Sequence, residues 1–248
     1  NNDSIGAVGA TPIREGESNE SHRQRESIYR DLFTLQRIGE SSVDSTPFLE
    51  GSLAGYRKSA IGNFRVVENA NADDAQLAVA VRQSGLKVIQ DPQLLFREVT
   101  PSSPVARRKR KVRRAQGLSR HLWRKRNLWF SKRYDMFGKI IGIQGILHLL
   151  VPWLIIIGIL IAFAKWIMWI ILGGEWNLIT IFIAIADFLT LVGWIGLRFD
   201  KPIPGLRLSQ TFLDSMESLL MAHWITLKGQ SLHMWEQVDD VREQISQN

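Results

Sequence analysis

NADDAQLAVAVRQSGLKVIQDP (71–92) is the stretch that decides the fold class. Asp73 or Asp74 can cap a helix by offering a carboxylate to free amide N–H groups. Ala75–Gln83 is rich in helix formers, and Gly85 supplies a stop because it adopts left-handed geometry without a steric penalty. Leu86–Ile89 then reads as a short strand, being apolar and partly β-branched. A short helix, a glycine and a strand in that order predict an α/β domain. An Asp pair at a helix start is more often a cap than a catalytic group, so the pair alone assigns no chemistry.

Working outward toward the N-terminus, Leu53–Tyr56 predicts a short strand, and Ile28, Leu32, Leu35 and Ile38 recur with helical spacing. REGESNESHRQRES (14–27) is charged and aperiodic, and reads as a loop or the start of an exposed helix. Toward the C-terminus the character of the chain changes. RRKRKVRR (107–114) opens a segment dense in Arg and Lys and free of acid up to Arg133. Such a run serves as a solvated face, an anionic-lipid contact or a nucleic-acid patch. From Ile140 to Leu172 the only charge is Lys165. One helix over that stretch would be roughly 50 Å long, more than a hydrocarbon core of about 30 Å needs. Pro152 offers a break, since proline lacks the amide donor and clashes with the preceding turn. We therefore expect an interface helix before it, with Phe137, Ile140, Ile141 and Leu147 near one face, then spans over about 151–172 and 178–197 joined by a turn at Gly174 and Asn177.

Basic residues set the orientation. The arginine-rich segment precedes the first span and Arg198, Lys201 and Arg207 follow the second, whereas the turn carries only Glu175. The positive-inside rule places both flanks in the cytoplasm, with Trp166, Trp169 and Trp176 at the outer boundary. This predicts a multi-pass protein of the cell membrane. Leu208–Leu227 is apolar, but Asp214, Glu217 and His223 make a span costly, so a surface helix followed by a polar tail is expected there. Asp187, in the middle of the second span, either lines a substrate path or is a protonated acid bonded to a neighbouring helix near His148.

The chain has 248 residues, a net charge of +7 and no cysteine. The missing cysteine excludes a disulfide framework and thiolate metal sites. No Walker loop, HExxH pair or GxSxG elbow is present, which removes the commonest phosphate-binding, zinc-hydrolase and serine-hydrolase signatures. The first residue is Asn1, and the sequence reads as beginning inside a domain.

Five segments in order resemble the second half of a membrane-bound family-2 glycosyltransferase, the group that includes hyaluronan, chitin and cellulose synthases. SIGAVGATP (4–12) is similar to the strand and turn after the metal-binding DxD motif, and GSLAGYRKSAI (51–61) to the glycine-led segment ending in an aromatic-Arg pair, here Tyr56 and Arg57. NADDAQLAVAVRQSG (71–85) resembles the acidic motif, FREVTP (96–101) the post-strand E-x-x-P element, and RKVRRAQGL (110–118) the QxxRW element followed by a glycine.

The resemblance implies the C-terminal part of a GT-A-type, Rossmann-like cytoplasmic domain over 1–118, a basic interfacial region over 119–150, the hairpin over 151–197 and a helix with a tail over 198–248. It implies inverting sugar transfer from a nucleotide-sugar donor to a glycan or lipid-linked acceptor. Asp74 would be the general base and Asp73 its neighbour. Arg110, Arg113 and Arg114, with Tyr56 and Arg57, would face the donor diphosphate and acceptor. Two positions depart from the motif: Arg110 stands at the glutamine and Arg114 at the tryptophan, which favours transfer of one or few sugars over processive synthesis. A divalent cation, Mg or Mn, is expected through a DxD upstream of Asn1, with no metal ligand in this chain, and the chain alone is expected to be inactive. Nucleic acid is not an expected partner. Two other readings are a non-catalytic anchor whose basic run binds lipid or nucleic acid, and a small transporter using Asp187.

Overall fold

A computed structural model describes residues 2–13, 21–67, 70–97, 104–199, 201 and 203–232. Strand β1 (Ile5–Ile13) leads to helix α1 (Ser21–Val43), which is longer than the apolar periodicity of 28–38 predicts. Residues 14–20 lie outside the described residues. Strand β2 (Ala54–Tyr56) and the single turn α2 (Lys58–Ile61) follow, then α3 (Asp73–Gln83) and β3 (Lys87–Arg97). The sheet has the order β2-β1-β3, with β2 antiparallel and β3 parallel to β1.

β3 runs well past the expected end at Ile89. Its register with β1 slips where Ala10 pairs with Asp91 and Thr11 with Leu95. Pro92 lies in that slip; it cannot donate to the ladder, so the extra residues bulge out and pairing resumes beyond them. Phe96 and Arg97 of FREVTP end the strand, and the rest of that element lies outside the described residues.

α3 holds the domain together because both of its sides are apolar. Ala78 and Val81 pack with Ala7, Leu49, Ala60 and Val88 against the sheet. Ala75 and Val79 pack instead with Phe48, Leu122, Leu128, Phe137 and Ile141. That second cluster reaches into α4 (Pro104–Arg124) and α5 (Asp135–Gly145), so sheet and helical parts share one core. Phe137 and Ile141, expected on a bilayer-facing side, are fully buried against protein. The boundary placed at residue 118 falls within α4, which continues through it unbroken.

α5 passes through a π-helical turn at Ile146–Leu150 into α6 (Val151–Ile171). Pro152 does not break the helix as expected. It sits in the first turn of α6, where its missing donor matters least, and the wider turn ahead of it absorbs the ring. After a turn, α7 (Leu178–Arg198) starts with Asn177 as a true cap, its side chain accepting the Thr180 N–H at 2.9 Å. Lys132–Ile171 and Leu178–Arg198 are helical stretches long and apolar enough to cross a bilayer, and both are largely uncovered by protein.

Asp187 has a different partner from the one expected. It accepts from Lys165 Nζ at 2.8 Å and Trp166 Nε1 at 2.7 Å, bridging α7 to α6. His148 instead uses Nδ1 on the Gln144 carbonyl. Helix α8 (Arg207–Leu227) is not a free surface helix. Leu219 and Ala222 pack on Val112 and Ala115 of α4, and Asp214 and Glu217 turn inward to pair with Lys111 and Arg108. His223 is buried, accepting from Trp153 Nε1 at 3.1 Å.

Candidate active site

The left-handed backbone of Ala72 (φ 64°, ψ 48°) turns the chain into α3, so Asp73 and Asp74 form its first turn. Neither is the N-cap, which is Ala72 with no side-chain bond. Asp74 Oδ1 accepts the next amide, Ala75 N–H, at 2.8 Å. Its carboxyl is raised above the usual aspartate value. Burial is the main cause and Asp73 and Glu50 add to it, while the Ala75 amide and Arg37 oppose it. A carboxylate made more basic in this way is a better proton acceptor near neutral pH. Tyr56 lies behind it, donating weakly to the Asp74 carbonyl at 3.4 Å. Its hydroxyl is pushed above the normal range by burial and then by Asp74 and Asp73.

Asp73 and Asp74 line a cavity of about 1120 Å³, and Arg110, Arg113 and Arg114 of α4 line the same cavity. The spacing i, i+3, i+4 puts these three guanidiniums on one helix face. Burial and neighbouring Arg114 both make the Arg113 charge less favourable, and Asp73 and Asp74 counter this. Arg114 is 3.3 Å from Glu50, whose other oxygen is 2.7 Å from Arg37. Burial alone would raise the Glu50 carboxyl, but Arg37 and Arg114 outweigh it and hold it down to about 2. Glu50 is therefore a fixed anion that anchors two cations of the cavity wall, Arg37 and Arg114.

Arg57 is not brought to this cavity. It is 3.6 Å from Asp3 and donates to the Asn2 carbonyl at the sheet's margin. Asp187 is likewise remote, held in the hairpin by Lys165. The sequence reading omitted Glu50, Arg37 and Asn71, all of which line the cavity. Glu50 immediately precedes the glycine-led segment, and that adjacency was the one available signal. The basic run is less of an open patch than its composition implies, because Arg108, Lys111 and Arg114 face Glu217, Asp214 and Glu50. Among the described residues no three His, Cys, Asp or Glu side chains converge as a divalent cation would require.

A buried carboxylate and a bank of guanidiniums lining one cavity suit attack by a hydroxyl with departure of a phosphate anion. The model of glycosyl transferase family group 2 matches residues 17–190. No curated protein matches the sequence. Among solved structures, the mannosyltransferase PcManGT from Pyrobaculum calidifontis, in complex with GDP-mannose and Mn2+, superposes with a TM-score of 0.64 at 19% identity. The match covers 91% of this chain and 55% of that one, so the chain spans about half the length of the mannosyltransferase. The likeness gives the fold, a GT-A-like α/β glycosyltransferase. With the family model covering most of its length, the chain belongs to glycosyl transferase family group 2.

Proposed function

We propose that this chain carries the acceptor side of a membrane glycosyltransferase that inverts the anomeric centre of a nucleotide-activated sugar. Asp74 takes the proton of the acceptor hydroxyl as its oxygen bonds to the anomeric carbon. The bond from that carbon to the diphosphate breaks, and the departing nucleoside diphosphate is received by Arg113, flanked by Arg110 and Arg114. Fixed guanidiniums suit this role because they meet phosphate oxygens in pairs and need no reorganisation as charge develops. The observation that carries the reading is the single cavity lined by both the Asp pair and the three arginines. A divalent cation accompanies the donor in the mannosyltransferase structure. The described residues here offer no set to hold one, and no step is assigned to it.

The same cavity reaches Leu147 and Leu197 of the two long apolar helices and Phe212 of α8. That supports a bilayer-embedded hairpin of α6 and α7 with cytoplasmic flanks, and an acceptor that is lipid-linked. Arg114, tied to Glu50, offers no aromatic surface on which a growing polymer could stack. This favours addition of one or few sugars. In the complete protein Asp74→Asn should reduce transfer by about 10²–10⁴-fold, the usual contribution of a general base. Sugar-nucleotide turnover by purified variant, with expression and melting unchanged, is the measurement. Parental turnover would remove Asp74 from the mechanism.

A further inference from the structure

Asn71 and Gly117 lie between the two halves of the site and touch each other. The Asn71 side-chain amide donates to the Arg113 carbonyl at 3.0 Å and to the Leu232 carbonyl at 3.2 Å. Gly117, one helical turn beyond Arg113, faces the same residue. A Cβ there would lie 2.6 Å from Asn71 Cβ, 3.1 Å from Asn71 main-chain carbon and 3.2 Å from Ala72 nitrogen. Two of those atoms belong to the backbone, so no side-chain rotation relieves the contact. The approach is made just before the left-handed Ala72, a conformation that costs an L-residue roughly 1–2 kcal/mol and persists where surrounding contacts hold it.

We propose that Asn71 and Gly117 form a clasp that sets the distance between the acidic turn and the arginine face. They are positioning residues: neither is assigned contact with substrate, and both act through Asp74 and Arg113. The inference rests on the glycosyltransferase reading above. Gly117 lets α4 sit against the loop, Asn71 bonds the loop to α4, and Ala72 converts that fixed entry into the direction of Asp73 and Asp74. Loosening the clasp moves the acidic turn away from α4 and lets water reach the Asp74 carboxyl. The charged groups that face that carboxyl are Asp73 on α3, Arg37 on α1, Glu50 before β2 and Arg113 on α4, and its burial among them is the larger influence on it.

The test is steady-state transfer by the complete protein carrying Gly117→Ala, Asn71→Ala, or both, across a range of pH. Gly117→Ala should lower kcat by about a hundred-fold, as a displacement on the order of 1 Å does, with KM for the donor near the parental value. The acid limb of kcat against pH should move to lower pH, because a better-solvated Asp74 titrates lower. The two losses should not add, since both substitutions open one contact. A general loss of folded protein would leave the acid limb in place and give additive losses, and that result overturns the proposal, as does parental kcat in both variants. Should Gly117→Ala fail to fold, Asn71→Ala removes the bonds without the steric contact and carries the test. Asp74→Asn in the same assay separates the two claims. Parental activity there removes the base itself, whereas an inactive Asp74→Asn beside parental clasp variants overturns only the clasp.

Discussion

Glu50 is the most constrained acid in the described site, because burial and charge act on it in opposite directions. Two guanidiniums at 2.7 and 3.3 Å win, and the carboxylate stays ionised down to about 2. A depressed carboxylate stabilises the fold fully above its ordinary value of 4.5, and loses that contribution as pH falls from there toward about 2. Glu50→Gln removes the buried anion shared by Arg37 and Arg114, and breaking a buried pair in this way costs roughly 3–5 kcal/mol. We expect a lower melting temperature at neutral pH and a flatter dependence between pH 4.5 and 2 than the parent shows, read by thermal melting in detergent. The place of Asp73 and Asp74 in the first turn of α3 was legible in the sequence because an acid pair opening a helix is a local pattern. Glu50 and Asn71 were not, since their meaning comes from partners 64 and 42 residues away.

At the scale of elements, the helical part owes its geometry to glycine. Gly138, Gly142 and Gly145 recur at i, i+4, i+7 on α5, and the chain from Leu128 to Ser131 lies against that flat stripe. A Cβ at Gly138 would be 2.5 Å from the Ser131 carbonyl oxygen, one at Gly142 would be 2.8 Å from the Phe130 ring, and one at Gly145 would be 2.2 Å from the Trp129 ring. Gly138→Val should destabilise by about 1–3 kcal/mol, the usual cost of overpacking, because the atoms it meets are backbone atoms of Ser131 and Leu128. A melting temperature several degrees lower, or loss of the folded protein on size exclusion, would report it, and an unchanged melting curve would refute the stripe's role. The helix–glycine–strand order of 71–92 survived folding nearly intact, as local propensity and tertiary packing agree there. The end of β3 and the fate of Pro152 were not legible, because each is decided by what neighbouring backbone can absorb: a bulge in one case, a π-helical turn in the other. Of the apolar face expected at the interface, Phe137 and Ile141 are buried against protein, whereas Ile140 is half-buried and Leu147 is exposed. Periodicity says that a face is buried but not against what.

The whole molecule joins a sheet unit to two long apolar helices through α4 and α8, with the cavity at the junction. The absence of cysteine makes the proposed topology directly measurable. Single cysteines at Glu175, in the turn between α6 and α7, and at Ser52, beside the cavity, can be labelled in intact cells with a membrane-impermeant thiol reagent. Glu175→Cys should label from outside, and Ser52→Cys only after the membrane is opened. The reverse pattern would invert the orientation, and equal labelling of both would remove the hairpin. Charge order along the sequence was enough to frame this expectation. The inward pairing of Asp214 and Glu217 was not foreseeable, since it depends on α8 folding back onto α4.

The bridge from Lys165 to Asp187 bears on how such a chain is made. Asp187, at the middle of α7, alone adds about 2.5–3.5 kcal/mol to the insertion of its helix, and Lys165, six residues from the end of α6, adds less. In the proposed membrane hairpin, α6 would reach the translocon with an unmatched cation, its counter-charge being synthesised only after the turn. Joined, the two side chains form a neutral unit, with the Trp166 N–H completing the carboxylate's bonding. Integration of the hairpin is thus expected to be a paired event, with α6 retained at the protein-conducting channel until α7 arrives. Biogenesis would then depend on an interaction that lies apart from the cavity holding Asp74 and Arg113.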